Sequence, residues 1–100
     1  MSLDPKTVKA LDPGIRQVVV SLNDAGIQTA ESCEGGEGHA YEKPTVVLTG
    51  ATADGWRAFA VCLDLGFPVQ SLARTWDIEN DEPRGPWWHV TFSSTVEMFA

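Results

Sequence analysis

The sequence predicts an α+β fold in which two helix–strand–strand repeats build one four-stranded, mainly antiparallel sheet with two helices on one face. Three observations predict it. Two segments carry apolar residues at helical spacing. Both close in the same way, Asn23-Asp24-Ala25-Gly26-Ile27 and Leu63-Asp64-Leu65-Gly66-Phe67, with the second glycine 40 residues after the first. Each closure is followed by a stretch of strand character, a polar loop, a proline and a second β-rich run. The same elements in the same order, twice, read as an internal repeat covering roughly 12–50 and 52–93.

Asp4-Pro5, with Val8 and Leu11 behind, predicts a short helical turn. The first long helix then has Asp12 as its N-cap and Pro13 at its first position. Its stripe is Ile15, Val18, Val19 and Leu22, and Gly26 serves as a left-handed C-cap. A strand is expected over 27–32 and a second over 44–49. The second long helix starts near Thr52 or Asp54 and ends at Gly66, with Trp56, Phe59, Ala60 and Leu63 as its stripe. A strand over 69–78 leads into the acidic stretch 77–86, read as a solvated turn because the spacing lacks the EF-hand glycine and glutamate. The last strand covers 86–92.

Alternation along that last strand turns Trp88, Val90 and Phe92 toward the helices and Trp87, His89 and Thr91 to the opposite, open face. Val46 and Leu48 share the inward parity, and Val47 points outward with Thr45 and Thr49. Of the four tryptophans, all but Trp87 are expected in the core. Cys62 falls where Leu22 falls in the repeat, which predicts a buried, inert thiol.

At 100 residues the chain is read as a single domain over 1–100, long enough for a real core without disulfide or metal staples. A hydrophobic fraction of 43 % and a charged fraction of 21 % are ordinary for a soluble globular chain. No apolar run is long enough to span a bilayer, and residues 1–6 lack an apolar leader segment. These features predict a cytoplasmic protein with no membrane partner. The formal net charge of −7, with scattered basic residues, argues against nucleic acid. Cys33 and Cys62 form no CxxC pair, which excludes a zinc ribbon and a thioredoxin-type centre. The residues require no cofactor.

The segment 31–41, Glu-Ser-Cys-Glu-Gly-Gly-Glu-Gly-His-Ala-Tyr, is the candidate site. Gly35, Gly36 and Gly38 permit left-handed or closely approaching backbone between Cys33 and His39. Four readings are open. Cys33 and His39 form a nucleophile–base pair, against which stand the negative charges of Glu31, Glu34 and Glu37 and the lack of a nearby Asn or Asp to orient the histidine. Cys33, His39, one or two glutamates and His89 hold a metal ion. The glycine-rich turn offers N–H groups to a cationic or neutral polar ligand, or to a partner protein. Finally, the glycines simply build a wide hairpin connection. The residues placed at a ligand or partner surface are Ser32, Cys33, Glu34, Gly35, Gly36, Gly38, His39, Tyr41, Trp87 and His89.

Residues 22–46, through Ser32-Cys33-Glu34-Gly35-Gly36, Gly38-His39 and Pro44-Thr45-Val46, resemble a group of small bacterial and phage proteins of unassigned function. More distantly, 29–35 resembles the Thr-Ser-Ser-Cys-Ser-Gly stretch of the wybutosine-synthesis tRNA methyltransferase family, with Glu34 where that family has Ser. The first resemblance implies a bacterial or phage origin. The expected function is that of a small binding or accessory protein acting through loop 32–41 and the open sheet face. A homodimer through Trp87, a small-molecule ligand and an unidentified protein are the expected partners. The alternative is a small enzyme or metalloprotein using Cys33 and His39.

Overall fold

The computed structural model describes residues 3–96 of the chain. The elements are α1 (Pro5–Ala10), α2 (Pro13–Asp24), β1 (Thr29–Cys33), β2 (Thr45–Leu48), α3 (Thr52–Asp64), β3 (Val69–Glu79) and β4 (Glu82–Phe92). The strands form one sheet in the order β1-β2-β4-β3, and every neighbouring pair is antiparallel. Both long helices share one core with the sheet, in which Ile15, Val18 and Leu22 of α2 and Ala58 and Cys62 of α3 meet Val46, Leu48, Trp88, Val90 and Phe92. The α+β class, the antiparallel sheet and the common face of the helices follow the expectation. The leader reading rests partly on Met1 and Ser2, which lie outside the described residues.

The two helix ends are built alike. Gly26 and Gly66 adopt φ of +83° and +75°, and the amides of Ile27 and Phe67 donate back to the carbonyls of Leu22 and Cys62, each at 2.9 Å. A left-handed glycine closes each helix and turns the next apolar residue into the core. Positions separated by 40 residues are buried together: Ile15 and Gly55, Val18 and Ala58, Leu22 and Cys62, Ile27 and Phe67.

Helix α3 corrects the expected stripe. Its buried residues are Gly55, Ala58 and Cys62, while Trp56 and Leu63 are each 60 % exposed. The reason is steric. The Trp88 indole rises from the sheet against Gly55, and a Cβ at that position would overlap its ring carbons. The helix therefore turns its small residues inward over a large one, and Trp56 stacks edge-on against Trp88 with ring centroids 5.6 Å apart. The tryptophan reading changes with it: Trp56 and Trp76 (57 % exposed) lie outside the core, and Trp88 alone is buried in it.

The acidic stretch is solvated as expected, with residues 77–85 exposed, but most of it is paired strand and not loop. β3 and β4 pair as far as Glu79 and Glu82, with Asn80 and Asp81 as a two-residue turn at φ of +52° and +64°. Two positive φ values give the turn whose twist matches a hairpin. Pro83 and Pro86 are tolerated because β2 pairs only with residues 88–91 of β4, leaving the proline end of that strand unpaired on one side.

Two measurements follow. Gly55→Ala is expected to lower stability by about 1–3 kcal/mol, because overpacking against Trp88 outweighs a helix-propensity gain of about 1 kcal/mol. Urea unfolding checks it, and the penalty should shrink in a Trp88→Leu background. Burial also pushes the Cys62 thiol up from 9.0 to about 11. Between these values the folded chain keeps a proton that the unfolded chain releases, so stability falls as pH rises through the window from 9 to 11. The loss is about 2–3 kcal/mol. Cys62→Ala should remove that part of the slope in denaturation curves taken across the same pH range.

Candidate functional site

The connection from β1 to β2 carries most of the predicted residues. The residue that follows β1, Glu34, is hydrogen-bonded to the start of α2, so the end of the strand at Cys33 lies beside that helix terminus. Asp12 is the N-cap by position but makes no side-chain cap bond to its own helix. Its Oδ2 instead accepts from the amide of Glu34 at 3.1 Å. Glu34 Oε1 in turn accepts from the amide of Gly14 at 2.8 Å. Two segments thus cap one another, and a carboxylate is set at the positive end of α2. Gly14 leaves the room for this, since a Cβ there would lie 2.8 Å from Thr95 Cγ2 and 2.9 Å from Glu34 Cβ.

Beyond Glu34 the loop closes on itself. Gly35, at φ of +80°, passes so near the Lys43–Pro44 backbone that a side chain would collide with it. The amide of Gly36 donates to the carbonyls of Tyr41 and Glu42, and that of His39 donates to the Gly36 carbonyl. This winding carries the His39 ring back to the end of β1. Its Nδ1 lies 3.6 Å from Cys33 Sγ and 3.9 Å from Asp12 Oδ2. Its Nε2 lies 3.7 Å from Glu34 Oε2. The amide of Gly35 donates to Cys33 Sγ at 3.4 Å. Asp12, Cys33 and His39 each offer one donor atom suited to a metal ion, all within 4.8 Å of one another. Cys33 is buried and the histidine is about one third exposed.

The same loop also narrows the face that strand parity leaves open. Val47 and Thr45 are buried although they belong to the outward parity and lie outside the helix-side core. The Tyr41 ring stands edge-on to His89, with centroids 6.3 Å apart. Trp87, His89 and Thr91 are half-buried. What remains is a cleft of about 370 Å³ lined by Glu31, Tyr41, Val47, Asp77, Trp87 and His89, with Glu79 and Arg84 at its hairpin end. Burial raises the Tyr41 pKa above the ordinary tyrosine value, and the charges of Glu31, Asp77 and Cys33 add to that rise. Arg84 pairs with Glu79 at 3.5 Å. His89 Nε2 and Thr75 Oγ1 are buried without a hydrogen-bond partner.

The predicted residues therefore divide. Cys33, Glu34 and His39 join one cluster, around which Gly35, Gly36 and Gly38 shape the loop. Tyr41, Trp87 and His89 line the cleft. Ser32 belongs to neither and faces a separate groove beside Leu11 and Ile27. Asp12 is legible in the sequence only as a helix cap; the fold brings its carboxylate to the same His39 nitrogen as Cys33 Sγ, while Glu34 stands at the opposite one. Asp77 and Arg84 come from the hairpin read as a solvated turn.

No family model, curated protein or solved structure matches this chain. No helix among the described residues is long and apolar enough to cross a membrane.

Glu34→Ala should cost about 1–2 kcal/mol in chemical denaturation, the range of a lost helix cap. Glu34→Gln should cost less, because its amide oxygen can still accept from Gly14.

Proposed function

We propose that this chain is a small binding protein of bacterial or phage type, and that its cleft takes an organic cation. The observation that carries the reading is the convergence of loop 34–44 and the helix-free sheet face on one cleft, which joins aromatic rings to carboxylates. Its volume suits a small ligand or one side chain of a larger one. Trp87 and Tyr41 line the cleft, and a desolvated cation over such a ring gains about 0.5–2 kcal/mol. Glu31 and Asp77 take part in no ion pair among the described residues, whereas Arg84 is matched by Glu79. The charge left over is negative, which disfavours phosphates and carboxylates as ligands and favours ammonium, quaternary ammonium or guanidinium groups.

The test is an amide-resolved NMR titration with choline and with arginine amide, using acetate as the anionic control. The expected shifts centre on Glu31, Tyr41, Val47, Trp87 and His89, and weaken as salt is raised. Trp87→Ala and Asp77→Asn should each reduce affinity about tenfold, while acetate gives no shift at these amides. Cations that perturb other regions, or that bind Trp87→Ala as well as wild type, overturn the reading. Concentration-dependent sedimentation that Trp87→Ala abolishes would assign the face to a second copy of the chain instead.

A further inference from the structure

We infer that Asp12, Cys33 and His39 form a binding site for a zinc-class divalent cation, separate from the cleft. The meeting of three different donor types at one point carries the inference. Cys33 Sγ and Asp12 Oδ2 both approach the same ring nitrogen, His39 Nδ1, at 3.6 and 3.9 Å. A thiol–imidazole–carboxylate relay needs only Cys33 on Nδ1 and Glu34 on Nε2, and it leaves Asp12 Oδ2 at Nδ1 unused. Here three lone-pair donors crowd one point, and at most one proton can lie between any two of them. A cation satisfies all three together.

The distances suit an ion of that size. With metal–sulfur bonds of about 2.3 Å and metal–nitrogen or metal–oxygen bonds of about 2.0–2.1 Å, tetrahedral ligands lie roughly 3.3–3.6 Å apart. The sulfur–nitrogen separation already matches, and the others need modest contraction from a set confined within 4.8 Å. The donor types, thiolate, imidazole and carboxylate, select zinc or cobalt over calcium or magnesium.

The surroundings are those of a built site. His39 turns its other nitrogen, Nε2, to Glu34 Oε2 at 3.7 Å, the carboxylate partner that ligating histidines commonly have. Glu34 is itself anchored on the Gly14 amide. The Gly35 amide donates to Cys33 Sγ, which supports negative charge on the sulfur. Three protein ligands leave a fourth position for water or a ligand atom, the pattern of a reactive rather than a closed structural zinc site.

The experiment uses the full chain, freed of metal with a chelator and titrated with Zn²⁺ and, separately, Co²⁺. The expected result is one zinc per chain and a thiolate-to-cobalt charge-transfer absorption. Cys33→Ser should abolish that absorption, and both Cys33→Ser and His39→Ala should weaken zinc binding at least tenfold. Asp12→Asn should weaken it too. Circular dichroism establishes that each variant is folded, and Cys62→Ser should bind as wild type does. Zinc should also slow alkylation of Cys33 in the native protein and leave that of Cys62 unchanged, which tests the site without any substitution. The inference is overturned if wild type takes up no zinc, if Cys33→Ser and His39→Ala bind it undiminished, or if zinc leaves Cys33 alkylation unaltered.

Discussion

The position of Trp88 beneath α3 is the constraint on which the rest of the structure depends. Its indole sits against Gly55, is flanked by Trp56, and lies under the guanidinium of Arg74 at 4.9 Å from the ring centroid. Strand side chains alternate with a period of two, so burying Trp88 on the helix side sends Trp87 and His89 to the other side. It also sets the pairing of β4, with Leu48 on one side and Arg74 on the other. The indole nitrogen is buried without a partner, a cost of roughly 1–3 kcal/mol that the packing must offset. A polar atom is left unsatisfied here for the sake of a large ring that fills the space above a glycine.

A second constraint organises the loop. Two hydrogen bonds tie the start of α2 to the end of β1: the Glu34 amide donates to Asp12 Oδ2, and the Gly14 amide donates to Glu34 Oε1. The bonds join the helix terminus, which needs a negative partner, to a loop that needs a fixed starting point. From that anchor the glycines wind back, and the winding has two consequences. It brings His39 to Cys33 and Asp12, and it brings Tyr41 to His89. One short loop therefore shapes both the donor cluster and the cleft, although they draw on different residues.

The exposed apolar surface is distributed in a way that the loop explains only in part. Thr45 and Val47 are buried and Trp87 and His89 half-buried on this face, where Tyr41 of the loop meets His89. Trp76 and Ile78 on the hairpin, Trp56 and Leu63 on α3, and Leu65 just after it stay exposed. The indole of Trp56 is not idle there, because it roofs Trp88. The face that strand alternation leaves bare is thus narrower than alternation alone implies, and carboxylates line its remaining opening beside the rings.

The sequence by itself determined the elements, their order, the glycine closures at Gly26 and Gly66 and the inward parity of Trp88, Val90 and Phe92. All of these are local: capping chemistry, left-handed φ and the two periodicities act within a few residues. It also marked the loop that holds the candidate site, because three glycines between a cysteine and a histidine are unusual within so short a span. Only the tertiary structure decided which face of α3 is buried. The apolar stripe of Trp56 and Leu63 is the stronger local signal, but the space above Trp88 admits Gly55 and excludes a larger residue. The structure alone likewise decided that the Asp12 side chain lies beside Cys33 and His39 instead of capping α2, and that Asp77 lies in the cleft with Trp87. Those juxtapositions join distant parts of the chain, and no local propensity encodes them, since they arise when the sheet register and the helix packing close together.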